Sequence, residues 1–107
     1  MKMESAVTVN LECAHYDAVR KQLHGHSYLV EIWFESGPDI EMAKTAIGQI
    51  TDIIDHTCLD ESIGGPRMED IAQWVFDRAS LIGNAGMKIT KVLVKRPTLG
   101  YIVEAVA

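Results

Sequence analysis

Three of the four histidines in the chain are spaced as ligands of one metal ion. A single glycine separates His24 from His26, and residues i and i+2 of a β-strand point to the same side. His15 ends the preceding alternating segment, so a hairpin between the two segments would bring it beside the other two. Three imidazoles with an open fourth position are the ligand set of a catalytic zinc ion. The same spacing also fits three strand histidines that bind no metal. The spacing alone therefore leaves both a metal site and its absence open.

The fourth histidine, His56, directly follows Asp55. A carboxylate beside an imidazole stabilises the protonated ring and orients it, so this pair could transfer protons. A structural alternative has His56 as a cation near a helix C-terminus, favoured by the helix dipole, with Asp55 a solvated acid. Both remain possible roles for the pair.

The elements that must position these residues follow from hydrophobic periodicity. Apolar residues alternate with period two in the first two and last two segments and recur every three or four residues in between, as in strands and amphipathic helices. Asp39 stands where it could cap the first helix. The segment 36–38 breaks the pattern, and 83–86 ends the second helix. The predicted elements are strands over 7–15 and 26–34, helices over 40–54 and 68–82, and strands over 88–95 and 101–106.

This ββααββ order predicts one α+β domain over residues 1–107. Two strand pairs and two helices form an antiparallel four-stranded sheet with both helices on one face. A sheet of this size keeps two open edges, and open edges favour pairing between subunits. We therefore expect an assembly rather than a monomer.

Composition narrows the function class. The 107 residues are 48% hydrophobic and 23% charged, which excludes a disordered chain. Ten Lys and Arg against fifteen Asp and Glu give a net charge of −5, the wrong sign for a general nucleic-acid or anionic-membrane binder. Two cysteines are too few for a disulfide framework, and neither a signal peptide nor a membrane span is visible. We expect a cytoplasmic protein.

The motifs resemble those of the 6-pyruvoyl-tetrahydropterin synthase and 6-carboxy-tetrahydropterin synthase family. LECAH at 11–15 resembles the family's Phe-x-Ala-Ala/Ser-His, and LHGHSY at 23–28 contains its His-Gly-His. IDHTCLD at 54–60 resembles Leu-Asp-His-x-x-Leu-Asn/Asp, and PRMEDIA at 66–72 resembles Pro-Thr-x-Glu-Asn-Leu-Ala. Order and spacing agree over about residues 7–104.

The resemblance implies a tunnelling fold, or T-fold. Its ββααββ subunits form trimeric barrels, and two trimers stack as a hexamer with active sites between subunits. It implies zinc on the three histidines and a proton relay through Asp55 and His56. Family members act on dihydroneopterin triphosphate, by loss of triphosphate or by carbon–carbon cleavage.

Three positions depart from the family. The catalytic cysteine before His-Gly-His is missing, and Arg20 stands four residues before His24. Arg96 replaces the glutamate that anchors the pterin, and a guanidinium, which only donates hydrogen bonds, cannot replace a carboxylate there. Arg67 and Met68 stand where threonines are frequent. Either arginine could instead turn outward, Arg96 to pair with an acid and Arg67 as a solvated helix-start residue.

These departures predict a changed substrate. Arginines at a recognition edge suit a carboxylate or phosphate, so we expect a zinc lyase-like enzyme for a pterin-like or more anionic small molecule. The candidate substrate-binding residues are Arg96, Arg67, Glu69 and Arg20, and Cys13 shares the strand face of His15. Two alternatives stay open. One is an ordinary tetrahydropterin synthase acting on dihydroneopterin triphosphate, and the other is a non-catalytic, zinc-stabilised hexameric binding module.

Overall fold

The sheet is antiparallel and four-stranded, with strand order β1-β2-β3-β4. The computed structural model describes residues 1–35, 39–81 and 87–107. Its elements, in chain order, are β1 (Glu4–Tyr16), β2 (Leu23–Glu35), α1 (Ile40–Thr51), α2 (Leu59–Ser62), α3 (Met68–Leu81), β3 (Lys88–Arg96) and β4 (Tyr101–Val106). The predicted α+β class and ββααββ order are confirmed, with the single turn of α2 added. The predicted breaks at 36–38 and 83–86, and Ile82 at the end of the second helical stripe, lie outside the described residues.

The first hairpin confirms the predicted alternation. Every second residue of β1 and β2 lies on the side of the sheet that the helices cover. Most apolar residues of this face are buried, and Val9 is partly buried. The two strands pair over their whole length, which places Cys13 opposite His26 and His15 opposite His24. The residues of this face that are buried are Val7, Leu11, Cys13, Tyr28, Val30, Ile32 and Phe34.

Helices α1 and α3 cover that face, with α1 against β1 and α3 against β3 and β4. The predicted apolar stripes supply most of their buried residues, which are Ala43, Ile47 and Ile50 on α1 and Met68, Ile71, Val75 and Ala79 on α3. Thr51 and Ala72 are also buried. No helix among the described residues is long and apolar enough to cross a membrane.

Both ends of α1 differ from the prediction. Ile40 was expected in the buried stripe but is 67% exposed, because the stripe reaches the core only from its second turn. Asp39 occupies the N-cap position, but its side chain makes no capping hydrogen bond. The helix ends at Thr51 rather than at Ile54. The next N–H groups bond to carbonyls three residues back, Ile53 to Ile50 and Ile54 to Thr51. Such tightening is common where a helix terminates, and it keeps Ile54 fully buried.

The opposite face of the sheet carries a polar network instead of helices. Trp33 Nε1 donates to Glu31 Oε1 at 2.9 Å, and Lys95 Nζ donates to the other carboxylate oxygen. Lys91 Nζ lies 4.7 Å from the centre of the Trp33 ring. The ammonium of Lys95 holds the pKa of Glu31 below its ordinary value. The network therefore ties β2 to β3 across the uncovered face.

Candidate active site

Three imidazoles meet at the end of the first hairpin. The ring centre of His15 lies 4.8 Å from that of His26 and 6.3 Å from that of His24, and the last two are 6.4 Å apart. Three imidazoles on one tetrahedral zinc ion have ring centres roughly 5 Å apart. The predicted hairpin thus brings the three rings together, with His15 and His26 at this separation and His24 further from both.

The donor atoms also suit a metal. His15 Nδ1 lies 3.1 Å from the Tyr16 carbonyl, and a proton held there would leave Nε2 free as a ligand. His24 Nε2 is buried and has no hydrogen-bond partner in the described residues. Burial, and less strongly the charge of Arg96, lowers the pKa of His26, which favours the neutral imidazole that binds metals.

With the side chains in their present rotamers, the residues described contain no group of three or more His, Cys, Asp or Glu side chains arranged as a finished metal site. The rings are close enough that rotation about their own side-chain torsions could aim the nitrogens at one point. The unpartnered His24 nitrogen and the donor chemistry of three imidazoles therefore fit zinc.

Asp17 is a polar neighbour of this cluster that the sequence reasoning missed. Its Oδ2 lies 3.7 Å from His24 Nε2. Its Oδ1 accepts hydrogen bonds from the N–H groups of Val19 and Arg20, at 2.7 and 2.8 Å. The Arg20 N–H, followed by that of Val19, lowers the pKa of Asp17. An aspartate that opens a short loop between two strands is a turn signal that could have drawn attention to it.

Asp55 and His56 form the predicted contact. His56 Nδ1 lies 3.0 Å from Asp55 Oδ2, while Asp55 Oδ1 accepts the Glu12 N–H at 2.9 Å. His56 has a φ of 61°, which is uncommon for a residue other than glycine. Its own N–H donates to the Glu12 carbonyl at 2.7 Å and holds that conformation. The Asp55 carboxylate and the His56 backbone are thus both bonded to the backbone of Glu12 in β1.

These bonds belong to a longer contact between β1 and the segment 55–60. The Ala14 N–H donates to the Thr57 carbonyl at 2.9 Å, and the Tyr16 N–H donates to Asp60 Oδ1 at 3.0 Å. The last third of the free edge of β1 is therefore already occupied within the chain. The segment carries the Asp55–His56 pair to the end of the strand where the histidines lie.

A cleft of about 440 Å³ lies beside this contact, and its lining includes Cys13, His26 and His56. Cys13 is 4% exposed, and its Sγ lies 3.4 Å from the Ile54 carbonyl. Burial, and then the Asp55 charge, raise the pKa of the Cys13 thiol to about 11. The reactive form of cysteine is the thiolate, so Cys13 at neutral pH is a small buried apolar residue rather than a base.

Arg96 ends β3 on the face shared by the histidines. It lies two residues after Val94, which is fully buried and pairs with Val30. Burial lowers the pKa of His26 and the charge of Arg96 lowers it further. Burial raises the pKa of Tyr28, and the charge of Arg96 opposes that rise. Its Nε is buried and has no hydrogen-bond partner among the residues described. The cluster therefore has a guanidinium donor at its border.

The sequence matches the family model for 6-pyruvoyl tetrahydropterin synthase over residues 6–105. The chain belongs to this family. A comparison with curated protein sequences gives no significant match.

Solved structures similar to this member of the family confirm the T-fold. The 6-pyruvoyl tetrahydropterin synthase of Caenorhabditis elegans has a TM-score of 0.77 at 16% identity, covering 100% of this chain and 96% of that one. The Plasmodium falciparum enzyme of the same name has a TM-score of 0.66 at 19% identity, covering 99% of both chains. An uncharacterized protein from Wolinella succinogenes has a TM-score of 0.72 at 16% identity, covering 99% and 98%.

No hydrogen bond or ion pair of the described residues joins the other candidate substrate-binding residues of this family member to the histidines. Arg67 precedes α3 and forms an ion pair with Asp70, with Nε 3.3 Å from Oδ2, as in the solvated helix-start alternative. Glu69 is exposed and lines a groove between α3 and β4. Arg20 is exposed in the β1–β2 loop, where its backbone bonds to Asp17. Of these four residues, Arg96 is the one whose charge lowers the pKa of a histidine of the cluster, His26.

Proposed function

We propose that this family member is a zinc-dependent, lyase-like enzyme for a pterin-like or more anionic small molecule. The observation that carries the proposal is Arg96, whose buried and unpartnered Nε borders the histidine cluster. In a family whose pterin anchor is a glutamate, a donor at this border implies that the substrate presents an acceptor.

His15, His24 and His26 would hold the metal. When bound, Zn²⁺ supplies a Lewis acid that polarises a substrate oxygen and stabilises negative charge there. The hairpin would hold the metal ligands in a fixed arrangement, because His15 and His24 are directly opposite each other on paired strands. Ligands carried on strands keep their geometry better than ligands carried on loops.

Asp55 and His56 would move the proton. His56 Nδ1 faces Asp55 Oδ2, so a proton on Nδ1 leaves Nε2 as the atom that accepts a proton from the substrate and returns it. Protonation of the ring creates an imidazolium that the Asp55 carboxylate stabilises. The bond from the Glu12 N–H to Asp55 Oδ1 keeps the carboxylate in place while the charge on the ring changes.

Arg96 would select the substrate. A guanidinium has five N–H donors and no acceptor, and it binds carboxylates and phosphates well. The donor-rich edge of a pterin finds no acceptor on such a group. Unpaired donors disfavour that orientation and leave an anionic substituent as the group that Arg96 binds.

We also propose that the chain assembles as a homohexamer, a dimer of trimers, with the site between subunits. Two observations support it. The outer edge of β4 and residues 4–10 of β1 have no strand beside them in the described chain, and exposed edges pair readily. In one chain Glu69 and Arg67 lie apart from the histidines, so residues of a second copy would complete the substrate pocket.

Turnover tests this function directly. Zinc-loaded protein is incubated with dihydroneopterin triphosphate and with pterins bearing a carboxylate, and loss of substrate is followed by chromatography. We expect turnover of an anionic pterin that falls at least a hundredfold in His56→Asn, because general acid–base groups typically contribute 10²–10⁴-fold. Asp52→Asn, which introduces the same residue at an exposed position after α1, is the control. Zinc-independent turnover, or full activity in His56→Asn, would contradict the proposal.

A non-catalytic, zinc-stabilised binding module is the second candidate. The observation that favours it is the pKa of Cys13, about 11, since that thiol cannot stand in for the missing family cysteine. This module would bind the same anionic compounds through Arg96. It would not convert them to products at any zinc concentration. Binding without turnover in the assay above would select it.

A further inference from the structure

The position of Asp17 beside the histidines concerns the number of protein ligands that a bound metal would have. We infer that Asp17 is a fourth protein ligand, which closes the three-histidine site while no substrate is bound. The inference rests on the proposed zinc site and adds a residue to it. Its basis is the position of one carboxylate oxygen relative to one buried nitrogen.

Asp17 Oδ2 and His24 Nε2 are separated by 3.7 Å. That is longer than a normal hydrogen bond, whose upper limit is about 3.2 Å. Two donors bound at about 2.0–2.2 Å to one tetrahedral zinc ion lie roughly 3.4 Å apart. The separation is therefore closer to that of two ligands of one ion than to that of a hydrogen-bonded pair. His24 Nε2 is also buried and lacks any other partner in the described chain.

The loop between β1 and β2 fixes Asp17 in this position. Its Oδ1 accepts the N–H groups of Val19 and Arg20. Its backbone N–H donates to the Gln22 carbonyl at 2.7 Å, and its carbonyl accepts the Lys21 N–H at 2.9 Å. Four hydrogen bonds thus hold the residue and its first carboxylate oxygen. No hydrogen bond of the described residues reaches Oδ2, which points at the histidine cluster.

A closed site changes what the metal does. Three neutral imidazoles leave a divalent cation with its full charge, whereas one carboxylate reduces the net charge of the centre to +1. A substrate oxygen would then have to displace Asp17 to reach the metal. Such a site is stable when empty of substrate and opens only for a ligand that competes with a carboxylate.

The test uses Asp17→Asn in the full-length protein. Asparagine keeps the Oδ1 acceptor for Val19 and Arg20 and replaces Oδ2 by an amide NH₂, which does not bind zinc. Asp17→Ser is the second variant, because a serine hydroxyl also accepts hydrogen bonds in such turns. Asp52→Asn is the matched control. Circular dichroism and melting curves identify the variants that are folded.

Metal affinity and the visible spectrum of the Co²⁺-loaded protein are the two measurements. We expect the Kd for zinc to rise at least tenfold in Asp17→Asn, since even groups outside the coordination sphere contribute about 10–100-fold. The Co²⁺ absorption bands should also shift, because the donor set changes. Asp52→Asn should match the native protein in both.

Three results would overturn parts of this reasoning. Unchanged affinity and spectrum in Asp17→Asn, with a native protein that binds metal, rule out Asp17 as a ligand and leave the proposed function intact. A weaker affinity with unchanged Co²⁺ bands shows that Asp17 only positions His24, and the ligand assignment fails. A native protein that binds neither Zn²⁺ nor Co²⁺ contradicts the proposed zinc function itself.

Discussion

Replacing Arg96 by methionine is expected to stabilise the ligand-free protein. Arg96 Nε is buried and makes no hydrogen bond in the described residues, and an unpaired buried donor costs about 1–3 kcal/mol. Methionine has a similar length, has no donor and fills irregular space well. The free energy of unfolding should therefore rise by about 1–3 kcal/mol. In a domain of this size each kcal/mol raises Tm by roughly 4–8 °C.

The same change should weaken anion binding. A hydrogen bond to a charged group contributes about 1.5–3 kcal/mol, so the Kd of a carboxylate-bearing pterin should rise roughly 10–100-fold in Arg96→Met. A neutral pterin should lose nothing. Arg96→Glu supplies the acceptors that a pterin edge requires and should move the preference toward the neutral pterin by at least tenfold.

Calorimetric titration of both pterins into zinc-loaded protein measures the Kd values, and urea unfolding at fixed protein concentration measures stability. Arg78→Met, on the exposed side of α3, is the control because it removes the same charge elsewhere. Equal binding of both pterins by the native protein, Arg96→Met and Arg96→Glu would refute the role of Arg96 in recognition. A large loss of stability in Arg96→Met would refute the claim that its Nε lacks a partner.

Three further outcomes are expected. Metal analysis of His26→Ala should find no bound zinc. Chelation of the native protein should lower its Tm, because free zinc at 100 times its Kd adds about 2.7 kcal/mol to the free energy of unfolding. Native protein that takes up no zinc would contradict this. Sedimentation at micromolar concentration should show a trimer or hexamer, and a stable native monomer would contradict the proposed assembly. Val92→Pro in β3 should disrupt the sheet or the assembly. Lys95 lowers the pKa of Glu31, so Glu31 stabilises the fold above its ordinary pKa of about 4.3 and this contribution disappears as the pH falls through the lowered value. The difference in urea stability between native protein and Glu31→Gln should be about 1 kcal/mol at pH 7 and should decrease as the pH falls below the ordinary pKa of a glutamate. A difference independent of pH would contradict it.

Strand faces were predictable because period two is a property of the backbone itself. Val7, Leu11 and Cys13 all lie on the buried side as the alternation predicts. The hairpin prediction placed His15 near His24, and the register pairs them directly. Residues that depend only on alternation and a short hairpin could therefore be located without a structure.

Helix ends and loop contacts were less predictable because they depend on tertiary packing. The stripe of α1 contains Ile40, yet nothing in the sequence says that the first turn projects beyond the core. The helix α2 has four residues, fewer than periodicity can detect. Asp17 is a loop residue, and only the folded loop shows that its second oxygen faces His24. Arg67 has a local partner, Asp70, three residues ahead, which the family pattern alone does not reveal.

The β1 strand unites the metal ligands and the proton-transfer pair. Its covered face carries His15, and its edge holds the segment 55–60 through hydrogen bonds at Glu12, Ala14 and Tyr16. A shift of β1 would therefore move the imidazole of His15 and the Asp55 carboxylate together. The same bonds use up the edge next to the histidines, so another copy of the chain can pair with β1 only over residues 4–10. A second copy paired with this edge would therefore lie beside residues 4–10 and not beside the segment 55–60. The Asp55–His56 pair would then stay accessible to substrate.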